Sequence, residues 1–318
     1  LLSEITTVAA PSIDMSNTWR SRLMSLVAST AFQSNPSIQS RAFVVIGSLA
    51  RENVDDDFLY QVLVALRNSV TRFVEENECE MLISIVTALT KMMDKLPSDS
   101  RYSLQLFWLA LSLVRLTPLT LFNYTAPFFD ATLSNISSTG ELKGGRMATN
   151  LLQGRLPLGD AALQLDDLYG IHFNLENFHF AVCATLVKGL TDSVTRPTAV
   201  RVLQTFLEVT SSSVPQESKA TRDQACMPYL CILISRAMTL EEVKENLWLA
   251  GRSIPTDDFN HFEISDLIDC DLVKDKELLL NVSISIVDFN MLEDIVRNRN
   301  LIWLNKIAIK RPAVILHL

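Results

Sequence analysis

Glycine is scarce in this chain of 318 residues. Only 9 glycines are present, whereas an ordinary usage of ~7% would give about 20. A glycine-punctuated β-sandwich or a nucleotide-binding α/β sheet needs more, because tight turns and phosphate loops depend on glycine. The abundance of Leu, Ser, Ala and Val instead favours helices joined by short turns.

Positive charge is also in deficit. The chain carries 28 Lys and Arg against 36 Asp and Glu, a net charge of −8. Nucleic-acid recognition needs a concentrated positive surface, so this class of partner is disfavoured. The five cysteines are odd in number and scattered, which does not indicate a disulfide framework and favours a reducing, cytoplasmic compartment. They are Cys79, Cys183, Cys226, Cys231 and Cys270.

Long apolar runs are missing as well. The most apolar stretch, residues 104–116, is shorter than the ~20 residues of a membrane-spanning helix, and Arg115 interrupts it. The first residues, LLSEITTVAAPS, lack the basic region and apolar core of a signal peptide. Because the chain begins without Met, we expect it to be a piece of a larger protein. Its 48% hydrophobic content and mean hydropathy of +0.21 nevertheless predict a substantial core.

Helical periodicity runs through the sequence. An apolar stripe at i, i+3, i+4, i+7 spacing predicts a helix over residues 59–73, and Asp55, Asp56 and Asp57 precede it, where carboxylates favour a helix N-terminus. Further helices are predicted over 82–96, ending before Pro97, and over 104–114, with Pro118 opening the next one. Others are predicted over 177–190, 197–209, 216–238 and from the capping box Thr239 to Glu242. Residues 278–291 contain NVSISIVDF, which alternates like a strand, but the helical context favours a buried helix there.

This succession of helices predicts an all-α fold, specifically an α-solenoid of diverged HEAT/armadillo-like repeats. The similar helix openings PSIQSR at 36–41 and RPTAVR at 196–201 are a weak internal echo, but no period fits, so the number of repeats stays open. We predict N-terminal helical repeats over 1–136, an irregular connector over 137–157, central helical repeats over 158–249, and C-terminal helices with a tail over 250–318.

The sequence predicts no catalytic, cofactor-binding or metal site. The pair Gly144-Gly145 lacks the lysine and the preceding glycine of a phosphate loop. His172 and His179 are seven residues apart and would share a helix face, but no further ligand completes a metal set.

The remaining candidate groups also favour ordinary roles. Cys226 and Cys231 are spaced too widely for a zinc pair, and we expect buried thiols there. The acidic cluster Glu75, Glu76, Glu78 and Glu80 is interpreted as a solvated helix end, with a basic partner as the alternative.

A basic cluster lies in residues 291–318. It is either an ordinary exposed helix with a tail or a contact to an acidic protein or lipid surface. Its cations are Arg297, Arg299, Lys306, Lys310 and Arg311, against Glu293 and Asp294.

Several segments between residues 17 and 240 resemble the neurofibromin family of Ras GTPase-activating proteins, including its fungal Ira members, in order and spacing. The segments are NPSIQSRAFVVIG at 35–47, ALTK at 88–91, LFWLA at 106–110, GIHF at 170–173, NFHFA at 177–181 and KG at 188–189. The segment DDDFLY at 55–60 is more similar to the fungal members than to the animal ones.

This resemblance implies a place for the chain within a larger regulator. Family members accelerate GTP hydrolysis by Ras with an arginine of a separate central domain, which nothing here matches. The lipid-binding Sec14-like and PH-like modules would lie upstream, and this segment would be the C-terminal helical arm, which contributes to dimeric assembly.

We therefore expect a non-catalytic scaffold without cofactor that binds protein partners or a second copy through its solenoid surfaces. It would be cytoplasmic, with peripheral membrane association through other modules. The main alternative is a helical-repeat adaptor of trafficking or transport unrelated to Ras. A helical enzyme with an unrecognised pocket rests on no positive feature of the sequence.

Overall fold

Helix follows helix in the part of the chain that the computed structural model describes. These residues are 2–33, 35–50, 54–97, 99–139, 147–169, 173–175, 178–190 and 192–212, together with 305, 308 and 309. The α-helices are α1 (Leu2–Ala9), α2 (Ile13–Ala31), α3 (Pro36–Leu49), α4 (Asp56–Glu76), α5 (Glu80–Met92), α6 (Ser103–Leu116), α7 (Phe122–Thr139), α8 (Met147–Arg155), α9 (Gly159–Tyr169), α10 (Phe178–Leu186) and α11 (Arg196–Ser212). These described residues contain no strand, so the all-α prediction is confirmed for them.

Helix α4 begins and ends as its sequence dictates. The carboxylate of Asp55 accepts a hydrogen bond from the backbone N–H of Phe58 at 2.7 Å, which satisfies one of the free donors of the first turn. At the other end, Asn77 adopts φ 57°, a left-handed conformation that asparagine tolerates, and its N–H donates to the carbonyl of Phe73. The predicted helix over 59–73 is thus confirmed and is a few residues longer at each end.

Prolines delimit the neighbouring helices. After α5, a 3-10 turn (Met93–Lys95) ends the helical run before Pro97, as predicted. Pro118 immediately precedes another 3-10 turn (Leu119–Leu121), which continues into α7. Helix α7 also contains Pro127, whose missing N–H removes one bond from the helical ladder. The predicted helix end before Pro97 is confirmed, whereas Pro118 lies just before a 3-10 turn and not in the first turn of the next α-helix.

The contacts divide the chain into two units, Leu1–Gly140 and Glu141–Leu318. In the first unit, consecutive helices pack as pairs, α2 with α3, α4 with α5, and α6 with α7. The second member of each pair also packs on the next, α3 on α5 and α5 on α7. Large aromatic side chains fill the core between them, including Phe107, which lies 5.2 Å between ring centroids from both Trp108 and Phe129.

Polar bonds tie these pairs together. The carboxylate of Asp56, in the first turn of α4, accepts hydrogen bonds from the Ser100 hydroxyl at 2.6 Å and from the Arg101 N–H at 3.3 Å. The side-chain amide of Asn135 in α7 donates to the backbone carbonyl of Met93 at 3.0 Å. All three bonds link segments more than 40 residues apart in sequence, so they hold one helical pair against the next.

In the second unit, α10 and α11 pack against each other and against the 3-10 turn Val187–Leu190 that connects them. They correspond to the helices predicted over 177–190 and 197–209, which are confirmed. The helices predicted over 216–238, from Thr239, and over 278–291 lie outside the described residues.

The predicted irregular connector over 137–157 differs from the structure in two places. Helix α7 continues to Thr139, and residues 147–155 form α8. One face of this short helix is buried through Met147, Ala148 and Leu151. This tertiary packing stabilises a helix that its sequence alone did not predict. The other predicted domain limits stay predictions.

Candidate functional site: a groove between α2 and α4

An open groove separates α2 from α4. Helix α3 packs on α2 and α5, and α5 packs on α4, whereas the backbones of α2 and α4 have few close approaches. The space between them contains two cavities of about 450 and 350 Å³. We call this space, with the residues that line both cavities, the α2–α4 groove.

The larger section of the groove is lined by α4 and by the end of α2, with α3 and α5 beneath. Its apolar floor includes Phe43 and Ile85, both buried. On its α4 wall, Tyr60 is 56% and Val64 42% exposed, although both are large hydrophobic residues. This section therefore presents apolar side chains to solvent beside a buried core.

The smaller section lies further toward the start of both helices. It is lined by the middle of α2, including Met24 and Ala28, and by Val54 and Phe58 at the start of α4. In both helices, residue numbers rise from the smaller to the larger section, so α2 and α4 run in the same direction along the groove.

Aromatic rings meet between the two sections. Phe32, at the end of α2, packs edge-on against Phe58 of α4, with ring centroids 6.3 Å apart. Its ring also packs edge-on against Phe43 of α3 at 5.9 Å. Such edge-to-face contacts are favourable. Here they connect the end of α2 to α4 and to α3 without filling the groove.

The described residues that line the groove carry more positive than negative charge. Arg72 lines the larger section and Arg20 the smaller one, while Asp55 is the single carboxylate among them. Arg20 is held in place, since it donates hydrogen bonds to the hydroxyls of Thr7 at 2.7 Å and Ser16 at 2.9 Å. Asp55 is already engaged with its own helix. The lining therefore carries a net charge of +1, and the arginine of the smaller section is already engaged.

A buried ion pair in the second unit is the strongest polar cluster outside the groove. The guanidinium of Arg155 in α8 meets the carboxylate of Asp166 in α9 through two bonds of 2.7 and 2.6 Å. Arg155 also donates to the carbonyl of Ala162 and lies over the ring of Phe173, whose N–H donates to Asp166. With both charges compensated and buried, the pair fastens α8, α9 and residue 173 together.

Lys188 has a pKa that departs clearly from its usual value. Burial lowers the pKa of this lysine from 10.5 to about 8, because removal from water disfavours the ammonium form. It lies in the 3-10 turn between α10 and α11. A lowered pKa makes an amine more reactive, but by itself it does not define a site.

Most sequence-predicted candidates fall where the structure is not described. His172, Cys226, Cys231 and the basic cluster of 291–318 lie outside the described residues, and of His179 only the backbone, in α10, is described. Among described residues, no group of three or more His, Cys, Asp or Glu side chains is placed to hold a metal ion.

The acidic cluster lies at the junction of α4 and α5. Glu75 and Glu76 are exposed in the last turn of α4, in keeping with the predicted solvated helix end. Glu80 differs, because its carboxylate accepts a hydrogen bond from the Ser40 hydroxyl at 2.8 Å and so joins α5 to α3.

The groove was not predicted from the sequence. The stripe used to predict α4 runs through Leu59 and Val62, both buried, whereas Tyr60 and Val64 lie about 100° and 140° around the helix from Leu59. This second apolar pair, four residues apart and outside the main stripe, was the indication of the groove that the sequence offered.

No protein-family model matches the chain. In the described part, no helix is both long and apolar enough to span a membrane.

Proposed function

We propose that the chain is a non-catalytic helical scaffold within a neurofibromin-like negative regulator of Ras. The observation that carries the proposal is the packing order of the first unit, in which helical pairs follow one another and the second helices α3, α5 and α7 pack in succession. This order is typical of α-solenoids with HEAT- or armadillo-like repeats, which mostly bind other proteins.

The family part of the proposal is supported by how the resembling segments pack. Gly47, in the segment 35–47, lies against Ala88, in the segment 88–91. Phe107 of the segment 106–110 is fully buried in the same unit. Segments that resemble one family in sequence thus supply core contacts, as expected of a shared fold.

The proposed role is architectural. The chain would present its helical surfaces to other parts of the full-length protein, to a second copy, or to protein regulators, while another domain engages Ras. We place it in the cytoplasm, with membrane association through other modules.

A GTP hydrolysis assay tests the non-catalytic assignment. Ras is incubated with the purified 318-residue chain, and in parallel with the full-length protein that contains it. With the 318-residue chain, we expect the same hydrolysis rate as for Ras alone. With the full-length protein, we expect an accelerated rate. Acceleration by the chain would contradict the scaffold assignment, and no acceleration by the full-length protein would favour an adaptor unrelated to Ras.

Light scattering of the purified chain over a range of concentrations tests the assembly role. A stable dimer supports an assembly interface within these residues. A monomer at every concentration would remove dimerisation from the proposal and leave partner binding as the architectural role.

A further inference from the structure

An apolar stripe on α2 is exposed outside the groove. Met15 is 41%, Trp19 37% and Leu26 65% exposed, although each is a large hydrophobic residue. Together with the exposed Arg22, they follow one another at steps of four, three and four residues, which is the spacing of a helix–helix seam. None of the four lines the α2–α4 groove. We call these four residues the α2 stripe.

The α2 stripe does not lie on the core-facing side of its helix. The buried residues of α2 are Ser16 and Ala31, and at about 100° per residue their mean direction is about 120° around the helix from the stripe. Single exposed apolar residues are ordinary, whereas a row of them along one helix face is typical of an interaction surface. Thr18, Ser25 and Ser29 flank the row, and such small residues let another helix approach closely.

The charge of Arg22 restricts how a helix can pack on the stripe. Asp14 is the acidic residue of α2, and it is eight residues from Arg22, about 12 Å along the axis, so α2 itself does not neutralise this cation. A second copy in parallel register would place Arg22 against Arg22 of the other copy, which like-charge repulsion disfavours. An antiparallel second copy avoids this repulsion.

In the antiparallel register, the α2 stripe is complementary to itself. Met15 faces Leu26 of the second copy, so two apolar side chains meet at each end of the seam. Trp19 faces Arg22 of the second copy, and a guanidinium over an indole ring is a favourable cation–π pair. Two-fold symmetry makes each of these contacts twice, as in an isologous dimer.

We propose that the chain forms a two-fold dimer through α2, with the α2 stripes of two copies packed antiparallel and each Arg22 over Trp19 of the other copy. A second copy supplies the apolar and aromatic groups at the required positions, whereas a helix of another protein would have to match both independently. This inference rests on the proposed scaffold function and names the surface of its self-association.

Disulfide cross-linking tests the register. Met15→Cys and Leu26→Cys are made as separate variants of the full 318-residue chain, and each is oxidised mildly, alone and in an equal mixture. We expect a disulfide between the two introduced cysteines in the mixture, identified by mass spectrometry of the digested chains. Two cysteines at the same position should not link, because they lie 11 residues, about 16 Å, apart along the antiparallel pair. Bridged Cα atoms lie within about 7 Å of each other.

Light scattering of matched variants locates the interface. Leu26→Glu and Arg22→Glu place carboxylates in the seam, and each should weaken dimerisation at least fivefold. Arg22→Glu acts because a carboxylate is repelled by the negative face of an aromatic ring. Val74→Glu and Arg67→Glu in α4 are the controls, since Val74 is 76% exposed and Arg67 is also exposed. Both controls should leave the dissociation constant within twofold.

Three results would overturn the inference and leave the assembly role in place. They are a dimer that tolerates Leu26→Glu and Arg22→Glu as well as the controls, a disulfide between like positions, and no disulfide in the mixture. A monomer of the unchanged chain at every concentration would overturn the inference together with the assembly role. Circular dichroism verifies folding, and Met15→Glu stands in if Leu26→Glu is not folded. The Ras assay tests the non-catalytic assignment separately.

Discussion

Gly47 of α3 lies directly against the backbone of Ala88 in α5. A methyl group added at Gly47 would be 2.8 Å from the Cα atom of Ala88 and 3.3 Å from its Cβ atom. Because the nearest atom belongs to the backbone, no side-chain rotation can relieve this approach. The close packing of α3 on α5 therefore depends on a residue without a side chain at position 47.

Gly47→Ala should lower the free energy of unfolding by about 1–2 kcal/mol, because the cost of forcing the helices apart exceeds the gain in helix propensity. Urea denaturation followed by circular dichroism measures the change. Ser48→Ala, one residue further along α3, is the control and should shift stability by less than about 0.5 kcal/mol. A stabilised Gly47→Ala variant would show that α3 and α5 are not packed this closely.

The cap of α4 gives a second prediction. Asp55→Ala should cost about 1 kcal/mol, because the N–H of Phe58 loses its acceptor. Asp55→Ser should retain most of the stability, since a serine hydroxyl can accept the same bond. Asp57→Ala is the matched control, because this side chain is 95% exposed and does not cap the helix; loss of its exposed ion pair with Arg101 should cost less than loss of the cap. Equal losses from the alanine and serine variants would contradict a capping role.

The ion pair of Arg155 and Asp166 gives a third. Asp166→Ala should cost about 3–5 kcal/mol, because it leaves the guanidinium buried without its counter-charge. Removing both charges, with Arg155→Met and Asp166→Leu together, should cost less than the sum of the two single changes. A double-mutant cycle by urea denaturation measures the coupling. Strict additivity would mean that the two side chains do not interact in solution.

Lys188 gives a prediction about pH. Its pKa is lowered from 10.5 to about 8 by burial, so between these values the unfolded chain holds a proton that the folded chain has released. The contribution of this group to stability therefore rises as the pH increases from 8 to 10.5, and its full penalty is present below pH 8.

Lys188→Met should consequently stabilise the chain at pH 7 by about 1–3 kcal/mol, and the advantage should shrink as the pH approaches 10.5. Urea denaturation of the original chain and of the Lys188→Met variant across this pH range measures the difference in their free energies of unfolding. The contributions of the other titrating groups are common to both chains and cancel in this difference. Lys95→Met, at an exposed lysine, should show no such trend. A stabilisation independent of pH would indicate that added apolar packing, and not the buried charge, is responsible.

Much of the secondary structure could be predicted because its causes are local. The stripe from Leu59 and the carboxylate of Asp55 both act within a few residues, and both appear in α4 as expected. Helix α8 could not be predicted in the same way. Its nine residues are too few to form a stable helix alone, and burial of Met147 and Leu151 provides the stabilisation that the isolated segment lacks.

The candidate groove escaped prediction for a related reason. Periodicity in α4 identifies a core-facing stripe, but it does not say which other helix leaves a gap beside it. Tyr60 and Val64 become lining residues only because α2 stands apart from α4 while α3 and α5 close the floor.

The sequence by itself determined that the described part of this chain is helical, and it placed the ends of α4 and α5 to within a few residues. It also determined the negative net charge. These properties follow from residues close together in the chain or from composition. The tertiary structure alone decided that Gly47 meets Ala88, that Arg155 pairs with Asp166, and that the lining of the α2–α4 groove has two cations and one engaged carboxylate. Those relationships join residues that are distant in sequence, and the packing of whole helices sets them.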